Sequence, residues 1–157
     1  MSLLHRFLWV VVFAGAFAWV EASVVVYLRD LYYPLGFAFP LKVFPQDRLS
    51  VELIRELSTL VMLAAVGMLA GSTRWQRFAW FAIAFGVWDI CFYAWLKAAT
   101  DWPSSLLEWD ILFLLPLPWI GPVIAPVAIS FFLIISGLLL LRYERAQPFH
   151  APVSAWV

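Results

Sequence analysis

Three charged residues stand within two helical turns at the start of one apolar run. They are Glu52, Arg55 and Glu56 in VELIRELSTLVMLAAVGMLAG, residues 51–71. Two more acids, Glu21 and Asp89, interrupt other apolar runs. Carboxylates and a guanidinium in a low-dielectric place suit three tasks: moving a proton, holding a cation or polar substrate, or locking helices together as ion pairs. Glu21, Glu56 and Asp89 outnumber Arg55 by two. Isolated buried carboxylates protonate or find a partner. Arg29 or Lys97 folding in from the rim, protons, or a bound cation would each restore balance. Tyr93, one turn beyond Asp89, is a hydrogen-bonding neighbour. A structural ion-pair network and a site for a proton, cation or polar substrate both stay open.

Carboxylate-bridged metal bundles need histidine at a Glu-x-x-His spacing. Here Arg55 stands three residues after Glu52, where such a ligand would be, and the two histidines, His5 and His150, lie far from the acids. No zinc, copper or bis-histidine haem site is expected, while a hard cation held by oxygens stays open. The chain has no Walker loop, Gly-x-Ser-x-Gly, dinucleotide fingerprint or Cys-x-x-Cys. Its one cysteine, Cys91, sits in an apolar run and reads as a small buried hydrophobe.

Four apolar segments must position these groups. A helix rises about 1.5 Å per residue, so about 20 residues cross the hydrocarbon of a bilayer. The spacing predicts spans over 7–28, 51–71, 78–96 and 122–141. The start mimics a secretory signal, but its apolar run continues through SVVVYL, so it is expected to remain as a span. Before the fourth span, ILFLLPLPWIGPVIAP holds Pro116, Pro118, Pro122 and Pro126. That density excludes a continuous helix. Residues 111–121 read as an apolar non-helical or interfacial segment, with the helix beginning near Pro122 or Pro126. Irregular backbone at membrane depth has to be covered by protein or line a cavity. The expected fold class is an all-α integral membrane protein, a single four-helix bundle over 1–157 with a proline-rich irregular segment.

Depth follows from the span ends. Glu21 and Asp89 each lie about 10 Å inside the end of their span, and Glu56 about 8 Å inside the other end of its own. On the third span Ala82, Gly86, Asp89 and Tyr93 share a stripe, as do Ala14, Ala18, Glu21 and Val25 on the first. Small residues on these stripes permit close helix approach in lipid. Ser58 and Thr59 add donors beside Glu56. One network of Glu21, Arg55, Glu56 and Asp89 is expected.

Orientation rests on the basic residues. Arg6, Arg74, Arg77, Arg142 and Arg145 fall on one side, and Arg29, Lys42, Arg48 and Lys97 on the other, the latter beside Asp30, Asp47, Asp101, Glu108 and Asp110. Both termini are placed in the cytoplasm, with the 29–50 and 97–121 connections outside. The tail from 146 reads as a loose end. Of ten tryptophans, Trp75, Trp80, Trp102, Trp109 and Trp119 fall near span ends, as an aromatic belt would. Trp88 and Trp95 lie inside the third span. An aromatic pocket for a lipid, quinone or pigment is compatible with them, and so are belt and packing. In DWPSSLLEWD, Ser104 or Ser105 reads as a helix cap with Glu108 in the first turn.

Composition agrees. Of 157 residues, 65% are hydrophobic and 13% charged, and mean hydropathy is +0.92. A soluble domain averages about half apolar and a quarter charged. Net charge is zero, which leaves no basic field for nucleic acid.

The runs EASVVVYLRDLYYPLGFAFPL, GVWDICFYAWLK and DWPSSLLEWDILFLLPLPWIGPVIAP, across about residues 15–130, resemble a family of small bacterial four-span inner-membrane proteins with no assigned activity. The resemblance implies a bacterial inner-membrane protein and brings no catalytic residues. The expected function is an accessory or structural subunit of a larger respiratory or photosynthetic membrane complex, with other membrane subunits or its own copies as partners. A homo-oligomeric transporter or ion carrier using the carboxylate/arginine site is the alternative. A membrane enzyme acting on lipid or quinone is the third reading.

Overall fold

A computed structural model of the chain describes residues 2–33, 46–115 and 117–146, side chains 46–48, 145 and 146 excepted. Lys42, Pro116, His150 and the tail from 147, together with the side chains of Asp47, Arg48 and Arg145, lie outside the described residues. Four helices form: α1 (Leu3–Tyr32), α2 (Gln46–Ala70), α3 (Arg74–Thr100) and α4 (Ile124–Ala146). All four are long and apolar enough to cross a membrane.

Helices α1 and α3 outrun the expected spans at both ends, and polar caps set where they start. The Ser2 hydroxyl accepts from His5 N–H at 3.2 Å, and the Thr73 hydroxyl from Gln76 N–H at 3.1 Å. Asp101 closes α3 in the left-handed conformation. In α4, Pro126 is the third residue, where a backbone N–H has no intrahelical acceptor, so the missing donor costs nothing.

Helix α3 is the hub. It carries the main contacts with each of the other three helices, whereas α1 and α2 touch only lightly. Helix α1 runs parallel to α3: Gly15 sits beside Cys91, and Trp19 packs edge-on against Trp95, ring centroids 5.2 Å apart. Ala14 and Ala18 are fully buried on that seam, and the α3 stripe of Ala82, Gly86, Asp89 and Tyr93 is buried as well. The α3–α4 seam is tighter still. A Cβ on Gly86 would lie 2.5 Å from the Ser130 carbonyl oxygen, and one on Gly137 would lie 2.8 Å from that of Ala79. Only glycine lets the backbones come so close. Trp80 belongs to this core and not to a belt: it is 1% exposed, packed with buried residues of α1 and α4. The large exposed side chains, among them Trp9, Ile54, Leu69 and Phe132, face outward on α1, α2 and α4.

The fold is not wholly helical. Between α3 and α4 the chain forms an antiparallel hairpin, β1 (Trp109–Phe113) and β2 (Trp119–Pro122). Residues 111–115 and 117–121 are non-helical, as the proline density leads one to expect. What proline content does not reveal is that the flanking residues pair, with Asp110 opposite Gly121. The expected helix cap at Ser104 or Ser105 is absent, since 104–108 is a turn. Ser104 donates to the Glu108 carboxylate and Leu107 N–H to the Ser105 hydroxyl. The Leu106 and Glu108 carbonyls, which a helix would use internally, accept instead from Ile124 and Val123 N–H at 2.8 and 2.9 Å, tying the base of the hairpin to the start of α4.

Candidate functional site

The polar groups collect at the hairpin end of the molecule, in four sets. Arg55 on α2 reaches α1: Nη1 donates to the Glu21 carboxylate, while Nε donates to Glu52 on its own helix at 2.8 Å. Arg29, in the last turn of α1, donates to Asp110 of β1 at 3.2 Å, and Tyr93 of α3 donates to the other oxygen of Asp110 at 3.3 Å. The Arg29 guanidinium lies 3.8 Å above the Trp102 ring, which places a cation on an electron-rich face. Glu56 on α2 accepts from the Leu114 N–H with both oxygens, at 2.9 and 3.0 Å, and from Leu115 N–H at 3.1 Å. Asp89 accepts from the Ser130 hydroxyl of α4 at 2.9 Å. All five acids are buried.

The expected single network therefore divides. Glu21 and Arg55 meet, with Glu52 as the third member. Glu56 turns to the hairpin. Asp89 does not join them, because the α3 stripe that carries it meets α4 at Gly86, and Ser130 lies in that seam. Tyr93 bonds Asp110 and not a membrane acid. Of the two rim cations, Arg29 does fold inward, but onto Asp110. Lys97 stays exposed and pairs with Asp101 at 2.7 Å. Asp101 is fully solvent-exposed, and its hydrogen bond from Lys97 holds it below the usual carboxylate range.

Two residues of this constellation are missed by reading the sequence. Asp110 reads as a loop acid, yet it heads the apolar strand WDILF as the sole charge, the same signature that marks Glu21 and Asp89 in their helices. Ser130 is a lone hydroxyl in the first half of an apolar helix, which is a weak signal.

Between α1, α2 and β1 these groups line a half-open cleft of about 110 Å³. One wall is apolar, from Val25, Leu28, Phe92, Ile111 and Leu114. Tyr33 lines it too, and Arg29, Glu52, Arg55, Glu56 and Asp110 make the polar part. Among the described residues no three histidine, cysteine or acidic side chains gather as a metal site. No family model, curated protein or solved structure matches the chain.

Burial pushes the Asp110 carboxyl up to about 6 from 3.8, although Arg29 beside it pulls the other way. A carboxyl raised on folding stabilises the folded state fully below its unfolded value, and that contribution is lost as pH rises through the folded one. Stability from Asp110 is thus expected to fall between about pH 4 and pH 6 and to level off above. Thermal melts of the wild type and Asp110→Asn across pH 4–7 check this. Their difference should decline over that window, and parallel curves would contradict it.

Proposed function

We propose that the protein is a small non-catalytic subunit of a larger membrane complex, respiratory or photosynthetic, in the bacterial inner membrane. Both termini then lie in the cytoplasm and the hairpin at the outer face, following the basic residues. The observation that carries this reading is the engagement of the acids. Glu21, Glu52, Glu56, Asp89 and Asp110 each accept a hydrogen bond from within the chain. They join α2 to α1, the hairpin to α1, α2 and α3, and α3 to α4, so the charges act as structural fasteners. The apolar outer faces of α1, α2 and α4 then meet lipid and neighbouring subunits. Gentle extraction from the native membrane followed by native mass measurement tests the proposal. The expected result is a large particle containing other chains, and a particle made of this chain alone would defeat it.

A stand-alone homo-oligomeric carrier is the second reading, favoured by the cleft that brings Arg29 and Arg55 beside three acids. On that reading Glu56→Gln and Asp110→Asn, both in the cleft, abolish flux in proteoliposomes.

A further inference from the structure

The cleft's charge and shape restrict what can enter it. Among the described residues Glu52, Glu56 and Asp110 face Arg29 and Arg55 around it, an excess of one formal negative charge, and Glu21 behind Arg55 makes it two. Glu56 is already engaged with both oxygens by the hairpin N–H groups. A simple anion is therefore repelled by the site as a whole. A simple cation leaves another demand unmet. Arg55 uses Nε and Nη1 on Glu52 and Glu21, and its Nη2 has no partner among the described residues, although the side chain, 24% exposed, borders the cleft. A guanidinium edge that opens into a cleft seeks an oxyanion.

We propose that the cleft binds a zwitterion: an oxyanion on the free edge of Arg55 and a primary ammonium against the Glu52 and Asp110 carboxylates. The cleft of about 110 Å³ has room for a few waters or for a compact head group of this kind. The apolar wall of Val25, Leu28, Phe92 and Ile111 continues from the charged floor, so a hydrocarbon chain can follow the head group along it. A primary ammonium is required because it donates N–H bonds to carboxylates, whereas a trimethylammonium has none to give. A phosphoethanolamine group has this chemistry, either as a lipid head or free in water. This goes beyond the subunit reading and fails separately from it, since the test uses the purified full chain.

The chain is reconstituted in nanodiscs containing equal parts of phosphatidylethanolamine, phosphatidylcholine and phosphatidylglycerol, and the lipid retained on release is counted by native mass spectrometry. In parallel, ethanolamine phosphate is titrated in a thermal-shift assay. If the lipid is the source, phosphatidylethanolamine is retained about tenfold over the other two, one charge-assisted contact's worth. If the free zwitterion is the source, ethanolamine phosphate raises the melting temperature. Either signal must weaken about tenfold in Glu52→Gln, which keeps the acceptor for Arg55 and loses the charge. Arg55→Lys, which keeps a cation and loses the planar edge, must weaken it as well. Equal retention of the three lipids with no shift by ethanolamine phosphate overturns the proposal, as does a preference that both variants retain.

Discussion

Replacing Arg55 by methionine is expected to destabilise the protein by about 3 kcal/mol. Arg55 is the only cation among the described residues bonded to Glu21 and Glu52, whose side chains are 8% and 10% exposed. Methionine fills similar volume but leaves two acids facing each other without a cation. Breaking a buried pair by removing one partner costs about 3–5 kcal/mol. The lower figure applies because Arg55 itself is 24% exposed and partly screened. Adding Glu21→Gln and Glu52→Gln to the same chain should recover most of the loss, because the penalty belongs to the stranded charges and not to the missing arginine. Denaturant melts in detergent measure both. Were Arg55→Met to fall within about 0.5 kcal/mol of the wild type, the triad would rank with ordinary surface pairs and fasten nothing.

The second large effect is expected at the hairpin. Glu56→Ala deprives the Leu114 and Leu115 N–H groups of their acceptor. A buried donor left unsatisfied costs about 1–3 kcal/mol, and these two half-buried groups together should reach about that range. A two-stranded hairpin has little stability of its own, so the loss should appear as local opening and not as unfolding of the helices. Hydrogen exchange over 109–122 should accelerate by about a hundredfold or more, equivalent to some 3 kcal/mol. Exchange at the α3–α4 seam should change little. Glu56→Gln, which retains one acceptor oxygen, should fall between. Uniform acceleration along the chain would mean that Glu56 supports the whole fold and not the hairpin in particular.

The four helices are readable from the sequence because lipid demands long apolar runs, and little else in a chain looks like one. The α3 stripe is readable too: alanine and glycine at helical spacing announce a close approach, and the buried Ala82 and Gly86 sit on it. What the stripe cannot tell is which neighbour it meets. Asp89 and Tyr93 lie one turn apart on one stripe, yet Asp89 bonds α4 and Tyr93 bonds β1. Two elements share that face, and the division depends on where the proline-rich segment folds back. The hairpin is hidden for a related reason. Its strand WDILF lacks strict alternation, and its turn residues read equally as a loop. Burial of Asp110 then follows from tertiary placement, which spacing along the chain does not encode.

The hub arrangement has a consequence for the order in which the chain is made. Synthesis delivers α1 and α2 before α3, their principal packing partner, exists. In a membrane, two helices with few mutual contacts would then wait side by side. The Glu21–Arg55 pair is a link they can form meanwhile, and hydrocarbon around it makes either charge alone costly. In that order of synthesis the ion pair would serve as a clasp between the first two helices. Later, α3 slots in along both, and α4 closes onto Gly86 and Gly137. A bond that seems merely to finish the folded molecule is, on this timetable, among the first to be made.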